Sequence, residues 1–189
     1  YSFDSDSHVN PTDQNLPVFS QPNTARRQYS TLQVSAIVSP TLLNSFRFAD
    51  NRTNQLTDTD HNVPIGPELS FVPGQEMGII QVGSGQLQGG SRAIQRLGQN
   101  QDNPRAMVYN LFQWGDDLTW VKGSHTVKTG VNIERIRDNS TESQVQRGVY
   151  NFNNLATLLA GTPSVFEAQG VGLNQYRGHR QTAFHLYVQ

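Results

Sequence analysis

The sequence predicts an all-β fold, a partial antiparallel transmembrane β-barrel of several long hairpins, with short periplasmic turns, long extracellular loops and one short helix. Three observations carry that prediction. Residues 114–137 alternate apolar and polar side chains on both sides of a Lys-Gly-Ser-His turn. Other period-two runs lie at 28–38, 41–52, 105–121 and 181–189. The connections between runs are long at one strand end and very short at the other, the asymmetry of outer-membrane barrels, which a soluble sandwich does not need.

In the 114–137 hairpin, Trp114, Leu118 and Trp120 share one face and Asp117 and Thr119 the other. After the turn Val127, Val131 and Ile133 oppose Lys128, Asn132 and Glu134. That is a strand period, not a helical one. Gly123 supplies a turn residue free of Cβ crowding, and Val, Thr and Ile load both arms. A second hairpin follows the same logic. Leu32, Val34, Ala36 and Val38 precede the Ser39-Pro40 turn, and Leu42, Phe46 and Phe48 follow it. Runs of ten or more residues suit a tilted membrane crossing, which takes about 9–11. Trp120 beside the short turn fits an aromatic girdle.

The other segments punctuate these runs. A short strand is predicted at 1–3, and residues 4–26, with Pro11, Pro17 and Pro22, read as loop. Residues 50–104 lose their period except for an apolar piece at 77–82, and a stretch that long is functional or disordered. A polar loop at 138–146 precedes a short strand at 149–152. Asn153 or Asn154 caps a short helix through Leu155, Leu158, Leu159 and Ala160, closed by Gly161 and Pro163. This reads as a packing helix under the loop. A Gly-rich loop at 169–180 leads to the last strand, where Phe184, Leu186 and Val188 share a face.

Composition narrows the partners. Of 189 residues 35% are hydrophobic and 15% charged, while Asn and Gln together number 35. So few apolar residues imply either much loop or a thin apolar surface. A net charge of −1 leaves no basic footprint for nucleic acid. The absence of cysteine excludes a disulfide scaffold and thiolate zinc sites. The chain begins at Tyr1 and stops inside an alternating run, which reads as a fragment, residues 1–189, of one barrel domain.

One residue conflicts with this pattern. On a regular strand Asp116 shares the apolar face with Trp114 and Leu118, where a carboxylate facing lipid is unfavourable. A bulge at Gly115, turning Tyr109 and Leu111 outward and Trp114 inward, or a position above the lipid, would resolve the conflict.

Several stretches together resemble the TonB-dependent outer-membrane receptors, in particular the Oar-like group with a carboxypeptidase-regulatory-like N-terminal domain. They are SPTLLNSFRF at 39–48, NPR at 103–105 leading to WGDDLTW at 114–120, GSHTVKTG at 123–130, and YRGHRQ at 176–181 running into LYVQ at 186–189. The resemblance implies import of a scarce nutrient across the outer membrane, powered through TonB. The implied partners are the outer-membrane bilayer, an extracellular ligand of unknown class, and the TonB complex reached through plug and TonB-contacting parts not found in these residues.

Motif chemistry adds little. TDTDHN at 57–62 spaces oxygen ligands as calcium loops do, yet it lacks the Gly and distal Glu of an EF-hand, so a solvated loop is the reading and whether the Asp58–Asp60 loop binds calcium stays open. Gly83, Gly85, Gly89 and Gly90 lack the Lys and the strand-to-helix setting of a phosphate loop. His8, His61, His125, His179 and His185 are scattered without ligand spacing. Asp116 and Asp117 do not read as an acid–base pair, because strand neighbours point apart. No catalytic, metal, cofactor or ligand-binding residue is assigned, and no enzyme is expected. The sequons at Asn51 and Asn139 carry no weight in a bacterial protein. The alternatives are a secreted β-sandwich adhesin or carbohydrate-binding module, which would bury Phe46, Phe48, Trp120 and Phe184 in one core, and an all-β glycan-processing enzyme.

Overall fold

The computed structural model describes residues 1–11, 16, 18–83, 94, 96–100, 102–142, 144–170 and 172–189. In chain order the strands are β1 (Ser2–Pro11), β2 (Phe19–Ser39), β3 (Leu42–Thr57), β4 (Asp60–His61), β5 (Ile79–Val82), β6 (Arg105–Lys122), β7 (His125–Glu142), β8 (Val149–Phe152), β9 (Val165–Glu167) and β10 (Tyr176–Val188). One helix, α1 (Leu155–Leu159), and a 3-10 turn (Pro67–Leu69) complete the described elements. The main sheet is antiparallel in the order β1-β2-β3-β6-β7-β10, with β4 attached to β2. The excursions after β3 and after β7 return to the sheet beside the strand they left. No helix among the described residues is long and apolar enough to cross a membrane, which says nothing about a β-barrel.

Directly paired residues of antiparallel strands stand on the same face, so the register sorts the side chains. From the tight turns upward, one face carries Leu42, Trp120 and Val127, then Ala36, Asn44, Leu118, Thr129 and Val188. Above these come Val34, Phe46, Asp116, Val131 and Leu186, and then Leu32, Phe48, Trp114, Ile133 and Phe184. Among the described residues nothing covers this face: Phe46 is 37%, Trp120 43% and Phe184 69% exposed. The β-sandwich alternative required these side chains in one core, and that expectation is overturned. From Phe112 to Trp120 the band measures roughly 27 Å along the strand. Tilted by about 40°, it stands roughly 20 Å tall, a little under the ~25 Å apolar band of outer-membrane barrels. Aromatic rings mark both limits. Trp114 lies 5.7 Å from Phe48 and 6.1 Å from Phe112, and at the turn end Lys122 Nζ sits 5.5 Å from the Trp120 ring.

Above the band the strands continue without an apolar face. Phe112 closes the band in a level it shares with Ser30, Asp50, Arg135 and Thr182, and the level above it carries Gln28, Arg52, Asn110, Arg137 and Arg180. Three sequence expectations are corrected here. Residues 4–26 are largely strand, in β1 and the start of β2; β7 runs to Glu142 rather than yielding to loop at 138; and β10 begins at Tyr176. Where both faces meet water, a strand has no hydrophobic period to betray it, and pairing is simply propagated from the ladder below. Pro22 is tolerated because the β2–β3 ladder starts one residue later, at Asn23. Pro17 lies outside the described residues.

The tight turns match expectation. Gly123 turns β6 into β7 with φ 61°, a left-handed conformation that suits glycine. The strand at 149–152 and the apolar piece at 77–82, whose last four residues form β5, are both present, and they belong to a second, small sheet. There β5 pairs in parallel with β8, and β8 antiparallel with β9. Of the buried apolar residues described, Ile79, Val149 and Phe152 lie in this small sheet, Val72 and Met77 in the loop that leads into it, and Phe19 at the start of β2. A membrane barrel has lipid against its apolar band and needs no core under it, whereas a loop module in water does.

Helix α1 is capped by Asn154. Its Oδ1 accepts from Thr157 N at 2.9 Å while Thr157 Oγ1 accepts from Asn154 N at 3.1 Å. Its packing differs from expectation, since Leu155 is 50% and Leu159 80% exposed and no helix residue is buried. Five residues make too few turns to turn a whole apolar stripe inward.

Candidate functional site

The face opposite the apolar band carries the sheet's polar chemistry. Arg47 on β3 donates to Asp117 Oδ2 on β6 at 2.8 Å, and Tyr187 Oη on β10 donates to Asp117 Oδ1 at 2.5 Å. Lys128 Nζ lies 5.7 Å from the centre of the Tyr187 ring. Two levels above Asp117, Gln113 Nε2 donates to Glu134 Oε1 at 2.8 Å, and Asn132 Nδ2 from the level between donates to the same oxygen at 3.3 Å. Of these groups Arg47, Gln113 and Asn132 line a hollow of about 610 Å³, together with Thr31, Leu32, Gln33 and Phe48. Gly115 forms part of its floor; a Cβ there would sit 3.7 Å from Arg47 Nε and from Asn132 Oδ1.

Gly130 shows how the strand sequence builds this wall. A Cβ at this position would meet Asp117 Oδ1 and Tyr187 Cε1 at 2.5 Å each. The glycine therefore leaves the space across which the Tyr187 ring lies to reach Asp117. Gly130→Val is expected to expel the ring, break the Tyr187–Asp117 hydrogen bond and lower the urea midpoint, and Tyr187→Ser in the same background should remove most of that penalty. Equal unfolding curves for wild type and Gly130→Val would refute this role.

Asp116 and Asp117 point to opposite faces, as adjacent strand residues must. The expected bulge at Gly115 is absent: β6 keeps unbroken register with β3 and β7 throughout. Nor does Asp116 rise above the apolar band. It sits midway in the band, beside Phe46 and Val131, and accepts a 2.7 Å hydrogen bond from Asn44 Nδ2. Tyr109 and Leu111 stay on the side of Asp117, and Trp114 stays outward.

Above the wall stands the loop module, tied down by Arg147. Its guanidinium pairs with Glu76 Oε2 at 3.0 Å, donates to Thr59 Oγ1 at 2.5 Å and reaches the Asn103 carbonyl at 3.5 Å. Thr59 in turn donates to Gln99 Oε1. Three separate loop segments thus meet at the side chain of a fourth. Burial pulls the Arg147 guanidinium below its ordinary value, against the opposing pull of Glu76 and Asp58. Sequence reasoning missed Arg147, which has no motif around it.

The Asp58 and Asp60 carboxylates do not converge. Asp58 Oδ1 accepts from Thr59 N and Asp60 Oδ1 from His61 N, each at 2.8 Å. Among the described residues no three His, Asp or Glu side chains gather around a point that could hold a metal ion. Of the glycine-rich stretch, Gly83 is described, and Gly85, Gly89 and Gly90 lie outside the described residues.

An apolar band left bare on one face and a charge-paired wall on the other is the two-sided pattern of a membrane barrel. The sequence profile described as an outer membrane beta barrel domain matches residues 1–189. The chain belongs to that family. No curated protein and no solved structure matches it. In this outer-membrane barrel the band of Phe46, Leu118 and Trp120 is the lipid face, and the wall of Arg47, Asp117 and Glu134 faces the lumen. The tight turns after β2 and β6 are the periplasmic ends, and the module around Arg147 is extracellular.

Proposed function

We propose that this barrel belongs to a TonB-dependent receptor of the Oar-like kind, which binds a scarce nutrient at its extracellular loops and passes it along the polar lumen wall. The observation that carries the reading is the pairing of that wall with a packed loop module above it, because a module with its own core of Val72, Met77, Ile79, Val149 and Phe152 can present a ligand surface of fixed shape. The resemblance of 39–48 and 114–130 to these receptors supports it. Coupling to TonB requires a plug and a TonB-contacting segment, which residues 1–189 do not supply. The other partners are the bilayer and an extracellular ligand, with no nucleic acid. The reading includes no enzymatic activity.

The test is energised uptake by cells expressing the full-length protein. Ferric siderophores, oligosaccharides and peptide pools serve as probes. Accumulation of one probe class that vanishes on removal of TonB supports the proposal. Uptake that is indifferent to TonB and to a protonophore would replace it with a passive channel.

A further inference from the structure

A carboxylate in the middle of a lipid face calls for a partner that lipid tails do not offer. Polar residues at such depth pair with one another or meet protein. Asn44 satisfies one oxygen of Asp116, through a single hydrogen bond of 2.7 Å. An amide nitrogen has two N–H donors and a carboxylate two oxygens. Asn44 therefore holds a second N–H, and Asp116 its Oδ2, for which no bond is found among the described residues. The patch thus carries one donor and one acceptor side by side. Ala36 stands directly beside Asn44, so the surface on that side is low, while Phe46 and Leu118 flank it with apolar bulk.

We propose that this patch is a contact between two copies of the protein in the membrane. A two-fold contact is self-complementary, each surface meeting its own image. One donor beside one acceptor is what such symmetry requires. The second N–H of Asn44 donates to Asp116 Oδ2 of the other copy, and the reciprocal bond forms on the far side of the axis. Phe46, Leu118 and Val131 close around the two bonds and keep them dry. Lipid tails would leave both groups without partners, and an unrelated partner would need its own matching pair.

The experiment uses the full-length protein in detergent and in outer membranes. Sedimentation of wild type is expected to show a dimer, and Asp116→Leu is expected to weaken association about tenfold, in line with hydrogen bonds between membrane segments. Asn44→Leu should weaken it similarly. Because Asp116→Leu removes a polar group from the lipid face, the same variant should unfold no more easily than wild type, which separates lost association from lost folding. Leu118→Cys, placed in a background without other cysteines and oxidised in membranes with iodine, should yield a disulfide-linked dimer that Asp116→Leu abolishes. A wild type that stays monomeric at all concentrations, a dimer indifferent to Asp116→Leu, or cross-linking to a different protein would overturn the proposal. None of these outcomes depends on TonB or on nutrient uptake.

Discussion

Val34→Arg in the full-length barrel is expected to cost about 2–4 kcal/mol of folding stability, while Gln33→Arg, one residue earlier, changes it by no more than about 1 kcal/mol. Val34 stands level with Phe46 and Asp116, midway in the apolar band, and is 51% exposed in the uncovered sheet. A guanidinium there must either enter hydrocarbon or drag its strand toward the headgroups. Gln33 turns to the lumen, where its Nε2 lies 3.4 Å from Ser45 Oγ and an added charge stays in water, at the cost of some repulsion from Arg47 directly opposite. Urea unfolding in lipid vesicles measures both. Equal penalties would mean that the two faces are assigned wrongly.

The second large effect belongs to the extracellular module. Arg147→Ala is expected to destabilise it by about 2–3 kcal/mol, because hydrogen bonds to a charged group are the stronger kind and Thr59, Asn103 and Glu76 all lose theirs. Ile79→Ala should cost about 2–5 kcal/mol by opening a cavity where Ile79 is 1% exposed. Both variants should keep the heat-modifiable migration of a folded barrel. Protease added to whole cells should cut between residues 58 and 104 far faster than in wild type. Loss of the folded barrel band itself would show that module and wall fold as one unit.

The contrast between these experiments follows what the sequence displays and what it hides. Trp114, Leu118 and Trp120 alternate with Asp117 and Thr119, so the lipid face of β6 is visible from residue order alone. The same holds for Leu32, Val34 and Ala36 on β2. Ser2–Pro11, residues 19–27 and 138–142 follow no such rule, because both of their faces lie above the lipid. Their pairing was therefore not legible. Asp116 is the sharpest case. Its position on the apolar face was read correctly from the period, yet its satisfaction by Asn44, 72 residues earlier, depends on the β3–β6 register. The inferred bulge was a local remedy for a problem that a distant residue solves.

Arg147 was hidden for a related reason. Its partners come from residues 59, 76 and 103, brought together only when β5 and β8 pair in parallel across a long excursion. By itself the sequence determined the strand period, the tight turns at Ser39-Pro40 and Gly123, and the apolar band, because each rests on neighbours within a few residues. The tertiary structure alone decided how far the strands rise above the membrane, which loops share a core, and how the Asp116 carboxylate is held in the band. Those outcomes depend on register and on hydrogen bonds between residues far apart in the chain, and local periodicity does not encode them.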